Sequence, residues 1–230
     1  MIELHSWPTP NGLKVTLALE EMGLAYRFVP VDIGRREQFN PSFLAFSPNN
    51  RIPAILDHAP ADGGAPIPVF ESGAILQYLA EKTGQFLPAD LRGRVRVTEW
   101  LAWQVGGLGP MAGQCHHFRQ YAPEPVPYAI NRYTQEVARL YGVMDRALAE
   151  RPYLAGDYSI ADMAAWPWVR PWSRQGVEIE TFPHVQRWLD DIAARPAAVR
   201  AVAVGAELTR PVLDDEARKS LFGSAPPVKG

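Results

Sequence analysis

A change of hydrophobic period near Asp90 constrains this 230-residue chain more than any other feature. Before it, apolar residues recur with strand and helix periods in turn; after it, helical periods alone continue. The chain therefore divides into an α/β part over residues 1–86 and an all-α part over 90–208. The polar tail, 209–230, holds prolines and glycines and is expected to be loosely ordered.

Residues 2–5 alternate apolar and polar, as a short strand does. The polar turn Ser6-Trp7-Pro8-Thr9-Pro10-Asn11-Gly12 then feeds a helix over 10–22 with Leu13, Val15, Leu17 and Leu19 inward. Pro10 suits a first helical turn, where its missing N–H is no loss, and Gly23 supplies a stop. Residues 25–31 read as a second strand, so the start is a βαβ unit with a parallel pair. A short helix near 42–45 lies between Pro41 and Pro48. Strands at 54–57 and 67–70 flank Asp62-Gly63-Gly64, turn chemistry that makes them a hairpin. A helix over 72–83 carries Ile75, Leu76 and Leu79 and ends at Gly84. Beyond Asp90, helices are expected near 91–106, 127–150, 159–172, 183–195 and 197–207.

A formal charge of −2 with scattered basic residues gives no footprint for nucleic acid or an anionic membrane. The start lacks a signal-peptide pattern and no apolar run approaches the roughly 20 residues of a membrane span, so a soluble cytoplasmic protein is expected. A single cysteine, Cys115, excludes an internal disulfide, a CxxC pair and a multi-cysteine zinc site. Redox chemistry here would have to borrow its sulfur. His116-His117 diverge if helical and bring too few ligands, so no metal is expected. Nucleotide-binding and HExxH patterns are absent. Trp100, Trp103, Trp166, Trp168 and Trp172 read as helix-domain core, some of them walling a pocket.

Three motifs stand in order along the chain: Arg51-Ile52-Pro53-Ala54-Ile55, Phe70-Glu71-Ser72-Gly73-Ala74-Ile75 and Tyr158-Ser159-Ile160-Ala161-Asp162. They resemble the proline turn, the glutamyl-binding motif and the C-domain folding motif of the glutathione transferases, whose first half is thioredoxin-like. Pro8-Thr9-Pro10-Asn11-Gly12, Ser47-Pro48-Asn49-Asn50-Arg51-Ile52-Pro53 and Gly107-Leu108-Gly109-Pro110-Met111-Ala112-Gly113-Gln114 are similar to the bacterial Nu class, relatives of the yeast nitrogen-regulatory prion protein. That class is known for glutathione-dependent disulfide reduction. The resemblance implies a thioredoxin-like glutathione-binding domain, an all-helical second domain and a homodimer.

Only a few per cent of a thiol with a pKa of about 8.5 is ionised at neutral pH, so a protein that uses glutathione must stabilise its thiolate. A helix N-terminus with hydroxyl and amide donors does so. Read alone, Thr9 or Asn11 is a helix cap; within these motifs, both become thiolate donors. The superfamily usually places Tyr, Ser or Cys at this point. Thr and Asn cannot form a mixed disulfide, so disulfide reduction needs two bound glutathiones, or one glutathione attacking a bound disulfide.

Glu71 and Ser72 match the glutamyl ammonium and carboxylate of glutathione, or else form an ordinary helix start. The resemblance implies a cis Ile52-Pro53 bond that leaves the Ile52 backbone to pair with the cysteinyl part. Gln38 and Arg132 are either carboxylate contacts or a solvated loop Gln and a surface-paired Arg. Ser159 and Asp162 form a capping-box variant, with Tyr158 and Met163 as its staple, and its role reads as structural. Disulfide reduction with glutathione and a small disulfide is the leading function. The alternatives are conjugation of electrophiles or hydroperoxide reduction in the same pocket, and a non-catalytic glutathione-binding regulatory role.

Overall fold

The structure, a computed structural model, describes residues 1–208 and 215–223. Its first part runs β1 (Ile2–Ser6), α1 (Pro10–Glu21), β2 (Tyr26–Pro30), α2 (Pro41–Leu44), β3 (Ala54–Asp57), β4 (Ile67–Phe70) and α3 (Ser72–Thr83). The strands lie in the order β2-β1-β3-β4. β1 pairs parallel with β2, Ile2 opposite Tyr26, and antiparallel with β3, Ile2 opposite Asp57. β3 and β4 form the hairpin expected from Asp62-Gly63-Gly64. The α/β domain with its βαβ start is therefore present.

The second part is all helical: α4 (Leu91–Trp103), α5 (Gly109–His116), α6 (Pro127–Leu148), α7 (Ile160–Val169), α8 (Pro183–Ala193), α9 (Pro196–Ala203) and α10 (Asp215–Phe222). The helix expected to end near residue 106 does not end there. A π-helical turn at Gln104–Leu108 passes the Gly106-Gly107 pair and hands over to α5, where Pro110 sits in the first turn and needs no N–H partner. A second π-helical turn, His117–Tyr121, closes the run.

α1 is the piece both domains share. It packs on α3, α7 and α9, so burial runs almost right round it, from Gly12 to Leu19 with Leu13 half-exposed. A one-face reading of this helix expects Leu13 inward and misses that Lys14 is inside. One apolar core runs through both domains as a result. At the far end of α1, Arg195 Nε and Nη2 pair with Glu21 at 2.5 and 2.8 Å, and Arg200 Nε meets Glu20 at 2.6 Å.

The loosely ordered tail expected over 209–230 is interrupted by α10; residues 209–214 and 224–230 lie outside the described residues. Ala217 is buried, Ser220 Oγ donates to the Ile33 carbonyl at 2.8 Å, and the Phe222 ring stacks on Tyr121 at 5.2 Å. Apolar contact and a satisfied backbone carbonyl hold this short helix against the rest of the chain. Among the described residues, no helix is long and apolar enough to cross a membrane.

Candidate functional site

The Ser6–Gly12 turn is fixed by its own backbone. Val31 N–H donates to the Ser6 carbonyl and Thr9 N–H to the Trp7 carbonyl, at 2.9 and 2.7 Å. Thr9 is extended, caps α1, and its Oγ1 accepts from Gly12 N–H at 3.2 Å. A Cβ on Gly12 would lie 2.3 Å from the Trp7 carbonyl oxygen and 2.5 Å from Ser6 Oγ, so only glycine lets the first turn of α1 settle onto the loop. Asn11 Oδ1 accepts from the indole Nε1–H of Trp168 at 2.8 Å, a contact spanning the two domains.

The start of α3 is built in the same way. Ser72 Oγ accepts from Lys14 Nζ at 3.3 Å, and Lys14 also donates to Gln104 Oε1 at 2.7 Å. Lys14 is 2% exposed. Burial pushes its ammonium down to about 7 and the Glu71 carboxylate works against that fall. Glu71 has φ 68 and ψ 116, an uncommon backbone for a residue with a side chain. Asn49 Nδ2 donates to its Oε1 at 3.0 Å, which steers the carboxylate. Gly73, two residues after Glu71, lies against the π-helical turn, where a Cβ would sit 2.9 Å from Val105 Cγ2.

These contacts share a chemical consequence. Hydroxyls and amides both give and accept. At Thr9, Asn11 and Ser72, a protein donor already engages the oxygen, and the Thr9 O–H, the Asn11 NH₂ and the Ser72 O–H are left to donate to a ligand. With the first turns of α1 and α3, this makes a surface of donors suited to a thiolate and a carboxylate. For Thr9, capping and donation are compatible: one uses the oxygen, the other would use the proton.

The remaining expected residues are distributed unevenly. The Ile52–Pro53 bond is cis and leads directly into β3. Gln38 is buried, with its amide nitrogen on the Ile33 carbonyl at 3.5 Å, so its side chain is turned into the loop. Arg132 is exposed on α6 and lines a cleft of about 650 Å³ with Met111, Tyr128 and Tyr133; Thr9, Asn11, Glu71 and Ser72 do not line it. Tyr128 and Arg132 do share one face, as their spacing requires. Cys115 is fully buried, its sulfur against the Gln175 carbonyl at 3.4 Å, and burial pushes its thiol up. Among the described residues, no cluster of His, Cys, Asp or Glu could hold a metal ion. The capping box is complete, Ser159 and Asp162 each accepting from the other's end of the turn.

Lys14, Asn49, Gln104 and Trp168 were not among the expected site residues. Lys14 carries a local signal, a charge inside the apolar run from Leu13 to Leu19, while Asn49 lies in the motif over 47–53 and Trp168 among the tryptophans of which some are expected to wall a pocket. Trp168 meets Asn11 across 157 residues of chain, a distance no spacing rule reaches.

Residues 1–81 match the glutathione S-transferase N-terminal domain and residues 129–196 the corresponding C-terminal domain. The disulfide-bond oxidoreductase YfcG of Escherichia coli (strain K12) is 56% identical over 203 residues, 88% of this chain and 94% of that protein. Among solved structures, a glutathione transferase from Pseudomonas putida with one glutathione disulfide bound per subunit superposes with a TM-score of 0.84 at 45% identity, covering 88% of this chain and 91% of that one. A family member from Pseudomonas fluorescens pf-5 with two glutathiones bound gives 0.83 at 43% identity, covering 87% of this chain and 92% of that one.

Proposed function

The chain belongs to the glutathione S-transferase family, and from that premise we propose that it reduces disulfide bonds with glutathione, as a cytoplasmic homodimer of the Nu class. The observation that carries this reading is the Thr9–Asn11 turn, where donors remain and no cysteine stands in the loop. Cys115, the one cysteine of the chain, is sealed in the helical domain. The sulfur chemistry then belongs to the substrate.

Thr9 O–H and Asn11 NH₂ hold the glutathione thiolate at the N-terminus of α1. That thiolate attacks one sulfur of the disulfide, forming a mixed disulfide and expelling the other half as a thiolate that takes a proton from water. A second glutathione thiolate then attacks the glutathione sulfur of the mixed disulfide, giving glutathione disulfide and the second thiol. The net change consumes two glutathiones per disulfide, in keeping with relatives that hold one glutathione disulfide or two glutathiones. Ser72 O–H and the first turn of α3 take the glutamyl carboxylate, Glu71 its ammonium, and the Ile52 backbone the cysteinyl part. Arg132 takes a carboxylate at the mouth of the cleft on α6, and Gln38 the glycyl carboxylate once its bond to Ile33 is released.

The exposed apolar side chains Phe70, Leu91 and Val95 support the dimer, Leu91 and Val95 standing one helical turn apart on α4. The function is tested by comparing turnover of hydroxyethyl disulfide with conjugation of an aryl halide. Reduction is expected to dominate. Conjugation alone would move the reading to a transferase, and glutathione binding without turnover of either would move it to a regulatory protein.

A further inference from the structure

An asparagine amide at a thiolate site can help or harm. With NH₂ toward the sulfur it donates; rotated by half a turn, it presents a carbonyl oxygen that repels the anion. Asn11 therefore needs something to choose its orientation. Trp168 is suited to the task because an indole Nε1–H only donates, and at 2.8 Å it can pair with Asn11 Oδ1 but not with the amide nitrogen.

The indole is itself held from several sides. Gly109 and Gly113, one helical turn apart on α5, lie against it: a Cβ on Gly109 would stand 3.6 Å from Trp168 Nε1 and one on Gly113 3.4 Å from Trp168 Cη2, ordinary packing distances. The Trp168 carbonyl accepts from Gln175 Nε2 at 2.6 Å, and Gln175 Oε1 accepts from the buried Tyr141 hydroxyl at 2.8 Å. The neighbouring titratable ring, His116, lies 6.0 Å from the indole, and burial lowers its pKa, which favours the neutral form there.

We infer that Trp168 is a positioning residue for the thiolate site, its indole N–H locking Asn11 so that only amide donors face the glutathione sulfur. This rests on the reading of Asn11 as a thiolate donor given above. The helical domain therefore sets the polarity of a group carried by the α/β domain.

The test is a double-mutant cycle read on the thiol pKa of bound glutathione, followed by thiolate absorbance across pH, and on kcat and KM for hydroxyethyl disulfide. Trp168→Phe is expected to raise that pKa by about one unit and to lower kcat about tenfold at neutral pH with little change in KM. In an Asn11→Ala background it is expected to add nothing to either. Site-specific replacement of Trp168 by benzothienylalanine keeps the ring's size and lacks the N–H; it should reproduce the Phe result and guards against a folding failure. The inference is overturned if the isostere leaves the titration unchanged, or if the Trp168 variants act equally with and without Asn11. If Asn11→Ala alone fails to move the thiol pKa, the Asn11 reading falls instead.

Discussion

Two helix starts in this protein use the same cap chemistry, and they differ in how far it is completed. At α7, Ser159 Oγ accepts from Ala161 N–H at 3.3 Å and gives its proton to the Asp162 carboxylate, also at 3.3 Å. Asp162 collects three further donors: Leu154 N–H at 3.0 Å, Ser159 N–H at 3.1 Å and Trp188 Nε1–H at 2.8 Å. Everything there is buried and matched. At α1, Thr9 Oγ1 accepts from Gly12 in the same manner, yet among the described residues nothing takes its proton or the Asn11 NH₂. A closed cap spends all its donors on the fold, and an open one leaves a hydroxyl and an amide for the thiolate proposed above. The difference distinguishes the two motifs where residue types alone do not.

The sharpest way to break the contrast is Asp162→Ala, which strands four donors in a buried site. It is expected to lower stability by about 4 kcal/mol, since each buried unsatisfied donor costs about 1–3 kcal/mol and neighbours share the loss. Denaturant unfolding measures it, and glutathione affinity of the folded protein should stay near that of the wild type; a large loss of affinity would erase the distinction. The converse is Thr9→Ala with Asn11→Ala, expected to lower kcat/KM for hydroxyethyl disulfide about 100-fold, as loss of preorganised anion donors does. Its thermal midpoint should drop only by the amount a single lost cap accounts for, about 1 kcal/mol.

Lys14 sharpens the comparison through pH. Its folded pKa, about 7, lies below the usual lysine value, so the unfolded chain binds more protons from about pH 7 up to the ordinary lysine range. Stability contributed through Lys14 therefore rises with pH across that window. Unfolding free energies at pH 7 and pH 9 should differ by about 2 kcal/mol more in the wild type than in Lys14→Met. Equal slopes would mean that Lys14 is not desolvated as placed. The smallest effect is expected from Ser159→Ala, about 1 kcal/mol of stability by the same unfolding measurement, with disulfide turnover unchanged.

Much of this architecture was legible in the sequence. Alternation at 2–5, the Asp62-Gly63-Gly64 turn and the stop at Gly84 lead to the observed sheet and α3 because short-range chemistry decides them. The turn holding Thr9 and Asn11 was equally visible, as a hydroxyl and an amide at a helix start. What stayed hidden is set by tertiary contact. The continuation of α4 through Gly106 and Gly107 goes against propensity and is held by packing, with Leu108 and Ala112 in the core. The inward turn of Gln38 depends on a carbonyl at Ile33, and the partners of Asn11 and Ser72 come from α7 and from inside α1. Spacing locates such residues on an element and says nothing of which oxygen another domain will occupy.

The π-helical turn at Gln104–Leu108 also acts as a phase shifter. An α-helix advances about 100° per residue, so one extra residue in a turn rotates everything after it by that angle. At the first residue of the shift, Gln104 faces Lys14; downstream, Gly109 and Gly113 face Trp168. Winding these residues as an even α-helix with both glycines kept would turn Gly109 and Gly113 about 100° away from the indole, whereas deleting one glycine would restore the even pitch and leave them facing it. The timing of one helix, set by a residue that touches no ligand, thus decides whether both halves of the site can be addressed from the same rod.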